Sequence, residues 1–493
     1  MTPCNDRQAP VTRAGTSADV GALAQYALAP VDDVLADPDC ARWAAVRVLD
    51  GLVNMWRGAS SAVSVAARDL MLGRSRTDPA DWHVSAWPVE SRLYRADDAA
   101  FLLGTFAFSE SYSDTGLGSV AHSGSVVVPS VVLASQLYRS TGRDVLAALT
   151  VGYNIVESLG SCLNGGNPRM AHQLKGFRPT ATVGPVAVCA VLCRLAALPE
   201  DVTRRALSIA CNQGGGLRRH PRTGLSSLYV QSGEVLRRAL YSVELAAAQV
   251  EGDESMLFGD GGFMAAYSAG LLPMFRLPEV GAPGSVATAS LKLDCTPHTF
   301  ITALDAARQL AARDQGGRIP GRVTVRLPHQ HCHAFVNDRP WSRPQTLASA
   351  MYDLPFCIAA ALVTGHHLYP RELSAALSSP DVAKLAPCVR VVDDAALSAS
   401  FDADPTTWPA IVEAEGDAGL LRQVELPRPL ASGWSIATTG QAVVTKAQSL
   451  AEPARRPDPA RLDRLLADLG NWADFWDSLV RLAPFRPADK GGT

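Results

Sequence analysis

From Val20 to about Gly270 the apolar residues recur at helical spacing in one segment after another, and they almost never alternate as a half-buried strand would. Ala, Leu and Val carry this pattern. Pro129 to Tyr138 is one such segment, stopped by Ser140-Thr141-Gly142. Asp144 to Leu159 is the next, with Gly160 just past its end. Thr182 to Ala197 is apolar nearly all round, which predicts a central, buried helix. Pro199-Glu200-Asp201 sets a proline and two acids at the start of a helix running to Cys211, and Ser232-Gly233-Glu234 opens another running to Val250. This half of the chain reads as an all-helical domain.

The texture changes after Gly270. Pro273, Pro278, Pro283 and Gly284 mark a linker, and 322–327 (R-V-T-V-R-L) alternates like a strand. A helix is expected over 348–363 and a second strand over 388–392. From about Ser432 the helical pattern returns, with Leu462 to Leu482 amphipathic and Trp472 and Trp476 spaced i, i+4. The expected fold is mainly α: a flexible arm over 1–20, a large all-helical domain over 21–272, a smaller α/β domain inserted over 273–431, and helices over 432–493 that return to the first domain.

Composition narrows the function classes. With 493 residues, 47% of them hydrophobic, and a mean hydropathy of +0.06, the chain is neither disordered nor fibrous. A net charge of −3 without a basic run argues against nucleic acid or an anionic membrane as partner. The residues up to Val20 lack an apolar signal core, and the longest apolar stretch, Val183 to Cys193, is shorter than the ~20 residues of a membrane span. Ten cysteines without a C-x-x-C pair suggest core thiols in a reducing compartment, so a cytoplasmic location is expected. Of the 45 basic residues only five are lysines: Lys175, Lys292, Lys384, Lys446 and Lys490. In that background a lysine is conspicuous.

Several local patterns bear on chemistry. Gly214-Gly215-Gly216 and Gly259-Asp260-Gly261-Gly262 follow no strand and fit neither a P-loop nor a dinucleotide fingerprint. His329, His331 and His333 end the first predicted strand; on one strand face they could meet a metal, line a polar edge, or simply be solvated, and Pro328 can end the strand before them. His122 lies in the small-residue loop 114–124, which can set an imidazole beside a carboxylate and a hydroxyl for proton abstraction, although an ordinary loop histidine fits the same residues. Lys175 and Arg178 precede the buried helix in G-F-R-P-T, a ready anion site or a plain surface arginine. Arg218-Arg219-His220-Pro221-Arg222 reads as a solvated loop.

Taken in order, further stretches carry a resemblance. They are S-Y-S-D-T…H-S-G…V-P-S at 111–130, S-T-G-R-D-V-L-A-A-L-T-V-G-Y at 140–153, G-F-R-P-T-A-T-V-G at 176–184 and A-L-S-I-A-C-N-Q-G-G-G-L at 206–217. S-L-K-L-D-C-T-P-H at 290–298 and Y-D-L-P-F-C-I-A-A-A-L at 352–362 follow. Over roughly residues 40 to 450 the chain resembles the MmgE/PrpD family, which includes 2-methylcitrate dehydratases and cis-aconitate decarboxylases. The resemblance implies a homodimer with a helical domain and an α/β lid, a small carboxylate-bearing substrate between them, and neither metal nor organic cofactor.

Carried over by motif, the family's Asp-Thr pair falls on Asp114 and Thr115, and its leading Asp on Ser111. The following histidine is His122, one residue further along than usual. The histidine of G-F-H-P-T is Arg178. A lysine position falls on Leu228, beside Tyr229, and a later histidine becomes Gln231. The K-x-x-P-C lysine is kept as Lys292, with its following histidine at Pro297 or His298. A lid tyrosine falls on Cys332, flanked by His331 and His333.

The resulting expectation is a divergent lyase of dehydratase or decarboxylase type in a specialised biosynthetic pathway. His122, Asp114, Thr115, Lys292 and His298 are its expected catalytic residues, and Arg178, Lys175, Tyr229, His331 and Cys332 its substrate-binding ones. Two rivals use the same cleft: an isomerase or cyclase acting on a larger, less acidic intermediate, and a catalytically silent binding relative.

Overall fold

The computed structural model describes residues 19–74, 84–86, 92–164, 169–219, 226–268, 275–313, 321–332, 343–415, 421–452 and 455–485. The arm over 1–18, His220 and His333 lie outside them, as does Pro273 of the proposed linker. The fold is mainly α. Its centre is Pro179–Leu195, buried on nearly every side as its sequence demands and packed against Gly142–Asn164, Gly124–Tyr138 and Val230–Ala247. Gly142–Asn164 is long and apolar enough to cross a bilayer by length and composition, and in this fold its surface is covered by neighbouring helices. It continues past Gly160, where the expected helix ended, and a side chain at that glycine would strike Ser119 of the loop packed against it.

Ala96–Phe108 and Val230–Ala247 cross at two glycines. A Cβ on Gly233 would sit 2.3 Å from the Phe101 carbonyl, and one on Gly104 would sit 2.5 Å from that of Ser232. Only glycine permits this approach, which brings Phe108 at the end of one helix beside Leu228 and Tyr229 ahead of the other.

A four-stranded sheet lies in the second half, in the order Val389–Asp393, Arg322–Leu327, Ala410–Glu415, Leu421–Leu426. The first pair is parallel and the other two are antiparallel. The helices His298–Arg313 and Leu354–Thr364 pack on the sheet. Both expected strands are therefore present within a residue or so, while 410–415 and 421–426 had no sequence expectation. Their polar-rich alternation, E-A-E and R-Q-V-E, belongs to a sheet with one wet face.

Two helices expected as continuous are broken. The 348–363 segment divides into Leu347–Met351 and Leu354–Thr364, because Pro355 cannot donate a helical hydrogen bond and Asp353 caps the second helix through the Phe356 amide. The 462–482 segment divides into Pro459–Asp468 and Phe475–Leu482, the latter capped by Asp474, so Trp472 and Trp476 do not share a helix face. Pro328 ends the strand and His329–His331 form a helical turn, which sends His329 outward and His331 inward. Ile436–Leu450 returns to Pro38–Gly58, where the buried Lys446 ammonium donates to Asp50 at 2.7 Å.

Candidate active site

The loop that carries His122 is held from three directions. Its start is tied to the 290 segment: the Thr115 amide donates to the Ser290 carbonyl at 3.0 Å, and the Ser290 amide returns the bond to Thr115 at 2.8 Å. Arg47 fixes that neighbour by donating to the carbonyls of Val286 and Ala289. From the other side, the Glu157 carboxylate accepts from the amides of Gly118 and Ser119 and from the Ser119 hydroxyl. At the base, the His122 amide donates to Thr180 Oγ1 at 2.9 Å, so the first turn of the central helix positions it. Ser111 and Val120 sit at φ of 62° and 57°. For a β-branched residue such as Val120 that conformation is strained, and it persists only where the surroundings over-determine it.

His122 Nδ1 lies 3.1 Å from the Asp114 carbonyl and 3.0 Å from Thr115 Oγ1. A proton on Nδ1 satisfies both contacts, because the Asp114 carbonyl only accepts and the Thr115 hydroxyl accepts as well as donates; Nε2 then holds the lone pair. Burial first, then the charges of Lys292 and Arg178, hold this imidazole well below its ordinary pKa, so it is neutral at pH 7. The Asp114 carboxylate points elsewhere. It accepts from the Gly124 amide and the Tyr153 hydroxyl, each at 2.9 Å, and lies 3.6 Å from Arg47. Asp114 therefore orients His122 through its main chain, and its side chain is structural.

His122 opens onto a cavity whose wall includes Ser111, Arg178, Leu228, Lys292 and His298. The space open to water there is about 60 Å³, room for a few waters. Arg178 is buried and stacks its guanidinium 4.1 Å from the centre of the Phe108 ring. Neither Nη1 nor Nη2 has a hydrogen-bond partner among the described residues. Burial lowers its pKa to about 9, which still leaves it charged at neutral pH. Such a fork suits the two oxygens of one carboxylate.

Lys292 is fully buried and donates to the Ser111 carbonyl. Burial first, then the nearby Lys446 charge, brings its pKa down to about 7, so its ammonium can release a proton near neutrality. Both ring nitrogens of His298, the first residue of its helix, are buried without a partner among the described residues, and the ring packs edge-on to Trp408 at 4.9 Å. Burial and Lys292 keep it neutral as well. The cavity thus joins a neutral imidazole whose Nε2 holds the lone pair, a guanidinium without a counter-ion among the described residues, and an amine poised between its two protonation states.

The remaining expected residues lie elsewhere. Lys175 is exposed and donates to the Ser268 carbonyl at 3.3 Å. Tyr229 stands one layer back, hydrogen-bonded to Tyr352, which does line the wall and also bonds Ser111. His331 is buried between Phe401 and Trp408, with its pKa pushed down to about 3 by burial and Arg169. Cys332 is a buried thiol whose pKa burial pushes up to about 12. Neither residue is among the cavity's lining residues. His329 pairs with Asp393 at the surface. Among the described residues no group of three or more His, Cys, Asp or Glu is placed to hold a metal ion. Gly216 holds the approach to the central helix, because its carbonyl accepts from the Arg178 amide.

Phe108, Arg218 and Tyr352 line the cavity without having been singled out for it. Tyr352 opens the Y-D-L-P-F stretch that carries part of the resemblance, but nothing in that stretch pointed to it as a wall residue. Arg218 read as part of a solvated loop, and its Nη1 donates to the Gln173 carbonyl.

The model of the MmgE/PrpD N-terminal domain matches residues 22–274, and that of the C-terminal domain matches residues 296–469. The chain belongs to the MmgE/PrpD family. Membership places it among lyase-like proteins. The cis-aconitate decarboxylase-like protein oryM of Aspergillus oryzae is 27% identical over 315 residues, covering 59% of this chain. The matched stretch is 64% of that relative, just under two thirds of its length. Ser111, Arg178 and Leu228, three positions where this chain replaces the residue expected from the MmgE/PrpD motifs, all line the cavity beside His122. Gln231 and Cys332, also replaced, are not among its lining residues.

Proposed function

We propose that this chain is a lyase of the dehydratase or decarboxylase type that moves a proton at a carbon next to a carboxylate. His122 Nε2 is the base. Arg178 holds the carboxylate, Lys292 serves as the acid and neutral His298 as a proton relay. The observation that carries this reading is the His122 hydrogen bond to the Asp114 carbonyl, which leaves Nε2 as the lone-pair nitrogen in a cavity shared with a guanidinium whose Nη1 and Nη2 have no partner among the described residues. An arriving carboxylate offsets the Arg178 and Lys292 charges that depress the imidazole, so substrate itself raises the basicity of its catalyst.

Residues 273–431 would act as a lid. His298 and Tyr352 reach the cavity from that unit. The working form would be a cytoplasmic homodimer acting on a small molecule without metal or organic cofactor. Sedimentation at micromolar concentration showing only a species near 52.2 kDa contradicts the dimer. A second reading, isomerisation or cyclisation of a less acidic substrate, is favoured by Leu228 in the wall.

Solvent exchange tests the proton-transfer reading. The purified protein is incubated in D₂O with a panel of short carboxylic acids and their unsaturated analogues, and label next to the carboxylate is followed by mass spectrometry. Wash-in by the parent and its loss in a folded His122→Ala variant are expected. A panel that stays unlabelled, or a variant that labels like the parent, contradicts the reading.

A further inference from the structure

The cavity's charges and its apolar wall are unevenly distributed, and the imbalance bears on what it can bind. Arg178 is the cavity cation whose guanidinium nitrogens Nη1 and Nη2 both lack partners among the described residues, and one guanidinium edge matches one carboxylate. Lys292 already donates to the Ser111 carbonyl, and Arg218 Nη1 to that of Gln173. The ring beneath Arg178 is Phe108, which forms a continuous buried cluster with Leu228 and Tyr229. A group one or two bonds from a carboxylate on Arg178 therefore meets carbon. A second carboxylate pressed there would be buried without a partner, a penalty that makes such an acid a poor ligand.

We propose that the substrate carries a single carboxylate, seated on Arg178, with an uncharged hydrocarbon group beside it packed on Phe108 and Leu228. This rests on the reading of the cavity as the site of proton transfer, and it adds the class of molecule transformed there. The specificity-determining residue is Leu228: its side chain sets the polarity of the wall next to the carboxylate clamp without touching the reacting proton. Neutral His122 and His298 fit the same class, since neither supplies a standing positive charge for further carboxylates.

Calorimetric titration of the full-length protein with pentanoate and with propane-1,2,3-tricarboxylate reads this out. Pentanoate is expected to bind at least about tenfold more tightly, the scale of discrimination that one or two methylenes in an apolar pocket supply. Leu228→Lys is expected to invert or close that ratio, and Leu228→Ala to weaken pentanoate by about tenfold without improving the tricarboxylate. Arg178→Gln should abolish binding of pentanoate. The proposal is overturned if the parent binds the tricarboxylate as well or better, if it binds neither acid, or if both Leu228 variants keep the parental ratio. His122→Ala separates the two levels. Lost deuterium exchange in that variant with a tricarboxylate preference in the parent sinks the substrate class alone. The expected binding ratio with exchange surviving in His122→Ala sinks the proton-transfer reading alone.

Discussion

His122 Nδ1 faces the main-chain carbonyl of Asp114 at 3.1 Å, while the Asp114 carboxylate turns away to Tyr153, Gly124 and Arg47. One residue thus plays two separable roles. Its carbonyl selects the His122 tautomer, and its side chain locks the loop to the helical body. Burial raises the Asp114 pKa, and Arg47 and the two hydrogen bonds work against that rise.

Substitution should separate the two roles. His122→Ala is expected to lower turnover by ~10²–10⁴-fold, the usual contribution of a positioned acid or base, with little change in stability. Asp114→Ala should instead destabilise by ~3–5 kcal/mol, because it leaves Arg47 buried beside an empty position. Urea unfolding monitored alongside turnover distinguishes them. Equal stability losses in both variants would refute the division of labour.

Arg178 predicts a trade between stability and binding. A buried guanidinium whose Nη1 and Nη2 lack partners among the described residues is costly to the unliganded fold, and apolar replacement of buried charge often stabilises by ~1–4 kcal/mol. Arg178→Met should therefore melt at a higher temperature than the parent while losing affinity for carboxylates. A lower melting temperature together with retained carboxylate binding would show that the guanidinium serves packing.

Lys292 predicts a pH dependence. Its folded pKa of about 7 lies below the 10.5 of the free side chain. Between those values the unfolded chain binds the proton and the folded one does not, so this residue makes stability rise as pH increases through that window. Below pH 7 its contribution is flat, with both states protonated. Chemical denaturation of the parent and Lys292→Met from pH 6 to 9.5 should show the parent gaining relative to the variant as pH rises. A constant difference would mean that the amine keeps its ordinary basicity.

Leu228 predicts a negative result. Neither 2-methylcitrate nor cis-aconitate should turn over faster than ~1 s⁻¹, the low end of ordinary enzymes. A carboxylate pressed on the Phe108–Leu228 wall has no partner there, and Arg178 binds but cannot exchange a proton near neutrality. Product analysis by mass spectrometry checks both acids.

Much of this was legible in the sequence because period and punctuation decide it. The apolar run after Arg178 had to be a buried helix, and R-V-T-V-R-L had to be a strand. His122, Arg178, Lys292 and His298 were brought together by motif order, and they do share one cavity. Other features depend on three-dimensional placement that no local pattern encodes. That Asp114 contributes its carbonyl follows from Arg47 and Tyr153, which claim the carboxylate from distant helices. Lys175, three residues from Arg178, points to solvent because the turn at Gly176, with φ of 107°, separates them. His331 turns inward against Trp408, and Cys332 is buried beside it in sequence, because Pro328 ends the strand before them. The strands 410–415 and 421–426 were missed because the charged residues of a wet sheet face resemble a loop.

The chemistry assigned to the cavity turns on a lone pair at His122 Nε2, and ¹⁵N NMR of the histidine-labelled protein observes it directly. With the His122 resonance assigned by its loss in His122→Ala, the ring at pH 7 should be neutral, with the proton on Nδ1 and a pyridine-type shift at Nε2. A proton on Nε2, or an imidazolium at that pH, would contradict the account.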